Sequence, residues 1–213
     1  MITIKAMDEV REFENDPEKV SEMMDTILLL VEADNLVVDH LLVDGVPVMN
    51  NHRQYIKDHI EEIKEIEAVP AGKIDLALDN IEQIADGMEP FLPMMGVLAE
   101  DFRQGVSQRG WDEFENLVNT MIQVDGWLKE TFMMVLDADD NSYNTKFDRI
   151  RNEYQKLYNV LHDIENALNF DDPVKAGDLI ESKVKTHIAE TCKRIRETLA
   201  FAAQKREEEN GKQ

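Results

Sequence analysis

Cysteine, proline and glycine are all scarce in this chain of 213 residues. The single cysteine, Cys192, excludes an intrachain disulfide and is typical of a protein from a reducing compartment. Nine glycines and six prolines are too few for the frequent turns of an all-β fold. No run of eighteen apolar residues occurs, so we expect no membrane span. The first residues, MITIKAMDEV, lack the pattern of a secretory signal. These features together predict an all-α, bacterial-type cytoplasmic protein.

Basic residues are also few. The chain has 23 Lys and Arg residues against 45 Asp and Glu residues, a net charge of −22. Such a chain should repel nucleic acid and anionic membranes, so we expect neither as a partner. The exception is the segment 183–213, which carries eight basic and five acidic residues. We favour the interpretation that this segment lies against the acidic remainder of the chain. The alternative interpretations are a separate docking segment and, for the whole chain, mimicry of nucleic acid.

Six segments show apolar residues at helical spacing, which predicts a six-helix bundle. The first helix should begin at Asp16-Pro17 and continue to about Leu41, because acidic caps and proline favour helix starts. The second should begin near Asn51 and end at VPAG (69–72). Its apolar stripe is Ile56, Ile60, Ile63 and Ile66.

The other four helices are predicted over the rest of the chain. The third should follow residue 72 and bend at Pro90 and Pro93. The fourth carries Trp111 and Trp127, which we expect to be buried on one stripe. The fifth spans about 147–164, and the sixth begins at Asp172-Pro173. A minor β-hairpin is possible near residues 42–48, where Asp44-Gly45 marks a turn, and ITIK near the N-terminus could join it.

The two halves of the chain can be overlaid. The apolar residues of the first predicted helix precede those of the fourth by 91 positions, and the later helices follow with slightly larger offsets. This pattern suggests that a unit of three helices was duplicated. Any two amphipathic helices, however, can be aligned because their apolar residues recur with the same period. We therefore predict helical units at 1–105 and 106–213, joined at RQGVSQRG (103–110) and packed as one domain.

One stretch, DADDNSYNTKFD (137–148), has the oxygen spacing of a calcium-binding loop. Asp137, Asp139, Asn141 and Asp148 occupy the positions of four ligands. These four residues are the candidate metal ligands of the chain.

Three features of the same stretch argue against a metal. Ser142 stands where the sharp turn of a calcium loop needs glycine, and Asn144 stands where an apolar residue is usual. Asp148 has a shorter side chain than the glutamate that normally closes the site. Thr145 and Asp148 instead have the spacing of a helix capping box. We interpret the stretch as a connector between two helices and expect no bound metal.

No catalytic constellation is visible elsewhere. The five histidines lack the spacing of a bundle metal centre, and no phosphate-binding glycine loop or nucleophile elbow occurs. Cys192 lies on an apolar stripe, which predicts a buried thiol. The methionine-rich segments PFLPMMGVL and ETFMMVL are typical of cores and also of adaptable binding surfaces.

These observations favour a non-enzymatic protein–protein interaction or adaptor module without a cofactor. Its partner would be another protein or further copies of the chain. The alternative hypothesis is a metal-binding or metal-sensing protein that uses the 137–148 loop.

Overall fold

The computed structural model describes residues 1–138 and 140–210. The chain divides into two compact units, Met1–Leu76 and Ala77–Gln213. Helix accounts for 71% of the structure, but a five-stranded sheet is also present. The prediction of an all-α six-helix bundle is therefore wrong, and the fold is α+β.

The first unit combines all five strands with two helices. In chain order these are β1 (Ile2–Ala6), β2 (Glu9–Phe13), α1 (Val20–Glu32), β3 (Leu36–Val43), β4 (Val46–Val48), α2 (His52–His59) and β5 (Glu65–Gly72). The strand order across the sheet is β2-β1-β5-β3-β4. Strand β1 pairs parallel with β5, and the other neighbours pair antiparallel. The sheet is therefore mixed, and a topology by itself assigns no function.

The core of the first unit forms where the sheet meets helix α1. Alternate residues of β1 (Ile2, Ile4 and Ala6) are buried, as expected for a strand with one covered face. Helix α1 contributes Met23 and Ile27 to the same apolar cluster. The sequence therefore changes period from two to 3.6 between these elements, and both patterns bury their residues together.

The first predicted helix is too long because α1 ends at Glu32. Asn35 adopts a left-handed conformation with φ of 58°, and its amide donates to the Glu32 carbonyl at 2.9 Å. The next eight residues form β3. A mostly apolar segment such as LVVDHLLV, with Asp39 and His40 in its middle, fits a strand as well as a helix, so periodicity alone did not separate the two.

The second predicted helix is also too long, because only its first two turns are helical. Helix α2 ends at His59, and Ile66 belongs to β5. Proline cannot donate to a β-ladder, so Pro70 is unfavourable in a strand that is paired on both sides. Strand β5 pairs with β1 only at Glu65–Glu67, so Pro70 lies beyond that pairing and faces one neighbour, β3.

The predicted hairpin is present as β3 and β4. Asp44 and Gly45 both have positive φ, 49° and 80°, and form its two-residue turn. This conformation suits Asp-Gly. The ITIK segment lies in β1 of the same sheet, although its partners there are β2 and β5.

Within residues 77–138 and 140–210 the second unit consists of helices and the turns between them, without a strand. Its helices are α3 (Lys73–Met88, which begins in the first unit), α4 (Met95–Arg103), α5 (Gln108–Leu136), α6 (Asn144–Asn169), α7 (Pro173–Leu179) and α8 (Lys185–Asn210). No helix within the described residues has the length and apolarity needed to cross a bilayer.

Two of the predicted helices are divided. The third ends at Met88, and a 3₁₀ turn (Glu89–Phe91) containing Pro90 separates it from α4. The sixth is interrupted by a π-helical segment, Ile180–Val184. Helices α4 and α7 approach closely at Gly177, where a Cβ would lie 2.5 Å from the Ala99 carbonyl oxygen.

The proposed duplication has no counterpart in this fold. Residues 36–41, which the overlay matched to part of α5, lie in strand β3. The compact units divide at Leu76 and Ala77, whereas the sequence placed the boundary at residues 105 and 106.

A substitution at Ala68 distinguishes strand from helix. Ala68 is 5% exposed on the core side of β5, whereas a helix with the predicted isoleucine stripe would turn it to solvent. We expect Ala68→Glu to lower the free energy of unfolding by more than about 3 kcal/mol, because it buries an unpaired charge. Denaturant unfolding measures this loss.

The neighbouring residue provides the control. Glu67 is exposed, and Glu67→Ala should change the stability by no more than about 0.5 kcal/mol. Equal tolerance of both substitutions would contradict the strand assignment.

Candidate functional site

An open apolar groove lies between helices α5 and α6 and encloses about 480 Å³. Helix α5 lines it with Phe114, Val118, Met121 and Ile122. Ile122 is 62% exposed and stands beside the other apolar residues of this wall, so the exposed apolar surface is contiguous. The groove is therefore apolar surface that the chain itself leaves uncovered.

Helix α6 forms the opposite wall with a mixture of apolar and polar residues. They are Tyr158, Leu161, His162, Glu165, Leu168 and Asn169. Tyr158 is 53% exposed. The His162 Nδ1 lies 3.3 Å from a Glu165 carboxylate oxygen at the edge of the groove. The lining thus combines an apolar floor with a few polar groups on one side.

An aromatic cluster stands at the start of α5. The rings of Trp111 and Phe114 lie 6.4 Å apart, and both pack edge-on against the buried ring of Phe102 in α4. The Ser107 side chain caps α5 by accepting from the Gly110 amide at 3.1 Å. These contacts fix the position of Phe114, which links the cluster to the groove.

A buried hydrogen bond fastens the two walls to each other. The Tyr154 hydroxyl of α6 donates to the Met121 carbonyl of α5. Tyr154 is 4% exposed, and burial raises the pKa of its hydroxyl. The hydroxyl therefore stays protonated and serves as a permanent donor between the helices.

The apolar residues of this groove belong to the helical stripes that predict the fourth and fifth helices. The sequence contains one signal of the groove. Met121 with Ile122 and Leu157 with Tyr158 are adjacent apolar residues, and such pairs widen the apolar stripe of each helix. Met121 and Leu157 are buried, whereas Ile122 and Tyr158 are exposed. Ile122 and Tyr158, the second residues of the two pairs, therefore mark the side of each helix that remains exposed.

The prediction that Trp111 and Trp127 are both buried on one stripe is wrong. Their side chains are 40% and 49% exposed. A separation of 16 residues turns an α-helix by about 160° beyond complete turns, so the two residues lie on nearly opposite faces. Only Trp111 stands beside the groove residue Phe114.

The structure describes three of the four candidate ligands in the 137–148 loop, and each has a separate place. Asp137 ends α5, the Asn141 side chain accepts from Asn144 at 3.0 Å, and Asp148 pairs with Arg151 at 2.8 Å within α6. Asp139 lies outside the described residues. Within the described residues, no group of three His, Cys, Asp or Glu side chains is arranged to hold a metal. The absence of metal binding in solution stays a prediction.

The predicted cap of α6 is wrong. Helix α6 begins at Asn144, so Thr145 already lies inside the helix, and Tyr143 at its N-cap makes no side-chain capping bond. The acidic side chain that caps in this loop is Asp140, which accepts from the Ser142 amide at 2.9 Å. Asp140 also accepts from the Lys205 ammonium of α8.

The same loop packs its aromatic residue against α8. Tyr143 is buried and meets the Phe201 ring edge-on at 5.4 Å. The Lys146 ammonium lies 4.2 Å from the centre of the Phe201 ring. The loop therefore joins α5 and α6 to the last helix.

The remaining reactive groups are structural. Cys192 is 4% exposed, which confirms the predicted buried thiol, and burial raises its pKa to about 12. His187 of α8 and Glu153 of α6 form a half-buried pair at 2.7 Å. Although burial opposes ionisation of Glu153, hydrogen bonds from Lys156 and His187 lower the pKa of its carboxyl group. Neither group faces the α5–α6 groove.

The Asp140–Lys205 pair predicts a dependence of stability on pH. The hydrogen bond from Lys205 lowers the pKa of Asp140 from 3.8 to about 2. A lowered pKa contributes stability above pH 3.8, and this contribution disappears as the pH falls through 2. A partly exposed ion pair contributes less than about 1 kcal/mol to the free energy of unfolding. We therefore expect Asp140→Asn to lower the melting temperature at pH 7 by about 2 °C.

The difference between Asp140→Asn and the wild type should vanish near pH 2 in thermal unfolding followed by circular dichroism. Asp148→Asn is the control, because its partner Arg151 lies on the same helix and both side chains are about half exposed. A deficit of Asp140→Asn that persists unchanged at pH 2 would contradict the role of this pair.

No protein-family model matches the chain, and neither a curated protein nor a solved structure shows significant similarity to it.

Proposed function

We propose that the chain is a non-enzymatic adaptor that binds an amphipathic helix of a partner protein in the α5–α6 groove. The observation that carries this proposal is the exposure of Ile122 and Tyr158, 62% and 53%, on opposite walls of one apolar groove. Amphipathic helices are recognised by laying their apolar face into such grooves.

The dimensions of the groove suit a short helix. On α6 the lining extends from Tyr158 to Asn169, which corresponds to about 16 Å or three helical turns. A third helix packed along α5 and α6 would bury its apolar residues against theirs, as in a helical bundle. Met121 in the floor can adapt its side chain to different occupants.

A partner protein is favoured over a second copy of the chain. The chain has a net charge of −22, so two copies that meet at this groove would repel each other. The same charge supports a partner other than nucleic acid or an anionic membrane. The lone buried Cys192 supports a cytoplasmic location.

A matched pair of substitutions tests the groove. Ile122 of α5 and Val97 of α4 are β-branched residues on helices with similar exposure, 62% and 68%, and only Ile122 lies in the groove lining. We expect Ile122→Asp to weaken binding of the partner at least tenfold, about 1.4 kcal/mol. Val97→Asp should leave the affinity unchanged.

The experiment compares three baits, the full-length chain and these two variants, in affinity capture from native lysate. A captured protein counts only if Ile122→Asp loses it, Val97→Asp retains it, and crosslinks place one of its helices at the groove. Equal capture by all three baits would contradict the proposal, and so would a crosslinked segment that is not helical.

A further inference from the structure

The groove lies in a part of the chain that lacks positive charge. Between Gly110 and Leu128, helix α5 has four acidic residues and no lysine or arginine. Between Leu157 and Asn169, helix α6 has two acidic residues and again no lysine or arginine. Both walls of the groove therefore belong to segments in which every charged Asp, Glu, Lys or Arg residue is negative.

Several of these acids share the face that borders the groove. Glu115 precedes Val118 by three residues and Ile122 by seven, and Asp125 follows Ile122 by three. These spacings place all four on one side of α5. On α6, Glu165 is itself part of the groove lining. An apolar floor is thus bordered by carboxylates on both helices.

Two arginines of the second unit pair with acidic residues that do not line the groove. Arg196 of α8 donates to Asp86 at 2.7 Å and to Glu89 at 3.1 Å. Arg103 pairs with Asp178 and Glu181 at 2.9 and 2.6 Å. Lys129 pairs with Asp125 at 2.5 Å, beyond the last groove residue of α5. The groove lining in the described part of the chain contains no lysine or arginine, and Lys129 lies at one end of the border.

From this charge pattern we infer that the occupant of the α5–α6 groove is a cationic amphipathic helix, with lysine or arginine on both sides of its apolar stripe. This inference rests on the proposed function and adds the charge of the partner. Complementary charges around an apolar contact set the choice of partner and accelerate its association. An acidic helix would be repelled by the carboxylates that border the groove.

The chain carries its own reporter for this test. Trp111 is 40% exposed, and its ring lies 6.4 Å from that of Phe114 in the groove lining. Replacing Trp127 by phenylalanine leaves Trp111 as the single tryptophan, since the chain has two. Occupation of the groove beside Phe114 should therefore change the fluorescence of Trp111.

The full-length Trp127→Phe protein is titrated with three synthetic 18-residue peptides. The first has a leucine stripe at helical spacing with lysine on both flanks. The second has the same stripe with glutamate on the flanks. The third contains the residues of the first in an order that breaks the stripe. We expect the lysine-flanked peptide to bind at least tenfold more tightly than the glutamate-flanked one, and the scrambled peptide to leave the fluorescence unchanged.

Salt and two further variants identify the source of the preference. Raising the salt from about 50 mM to about 500 mM should reduce the preference for lysine, because the acidic border is exposed. The double substitution of Glu115 and Glu165 by glutamine should reduce it as well. Ile122→Asp should abolish binding of the lysine-flanked peptide even though it adds a negative charge. Each variant is compared with its parent by circular dichroism and melting temperature.

The possible failures are distinguishable. Equal binding of the lysine- and glutamate-flanked peptides would overturn the inferred charge of the partner and leave the groove as a helix-binding site. If neither peptide binds, the proposed function is wrong as well. Binding of the scrambled peptide that survives Ile122→Asp would indicate diffuse attraction to an acidic surface and would overturn both.

Discussion

The hydrogen bond between the Tyr154 hydroxyl and the Met121 carbonyl holds together the two helices on which the site depends. Tyr154 is almost fully buried, so the donor has no access to solvent and the bond is not exchanged for one to water. It is made in the middle of α6, at one end of the groove. From that point to Phe114 and Leu168 the helices α5 and α6 remain neighbours, and the apolar surface between them stays open.

The charge distribution of the second unit follows from how its last helix is packed. Helix α8 holds six of the 23 basic residues of the chain, and it directs Arg196 to Asp86 and Glu89 and Lys205 to Asp140. The preferred interpretation of the basic segment, that it lies against acidic parts of the chain, agrees with these pairs. Because these cations neutralise acids on α3 and in the 137–148 loop, they do not reach the groove, whose border remains acidic.

Patterns that depend on neighbouring residues were correctly predicted from the sequence. Asp16 and Asp172 each cap a helical segment that starts with proline, as the sequence indicated. The Asp-Gly turn between β3 and β4 was equally readable, since only few residue pairs adopt two positive φ angles. In each case a few adjacent side chains decide the backbone conformation.

The sheet of the first unit could not be predicted in this way. Strand β5 depends on β1, which lies about sixty residues earlier, and no local pattern specifies that partner. Its Pro70 even opposes a strand and is tolerated only because β1 ends before it. The groove was missed for a related reason. Periodicity shows that Ile122 and Tyr158 lie on an apolar stripe, but only the packed structure shows that no other helix of the unit covers them.

The most direct test of the account is an NMR titration of the isotope-labelled full-length chain with the lysine-flanked amphipathic helix. The account predicts that the largest changes in amide chemical shift lie between Phe114 and Ile122 and between Tyr158 and Asn169, the two stretches that line the groove. Changes spread over the acidic surface of the chain, or confined to Met1–Leu76, would contradict it.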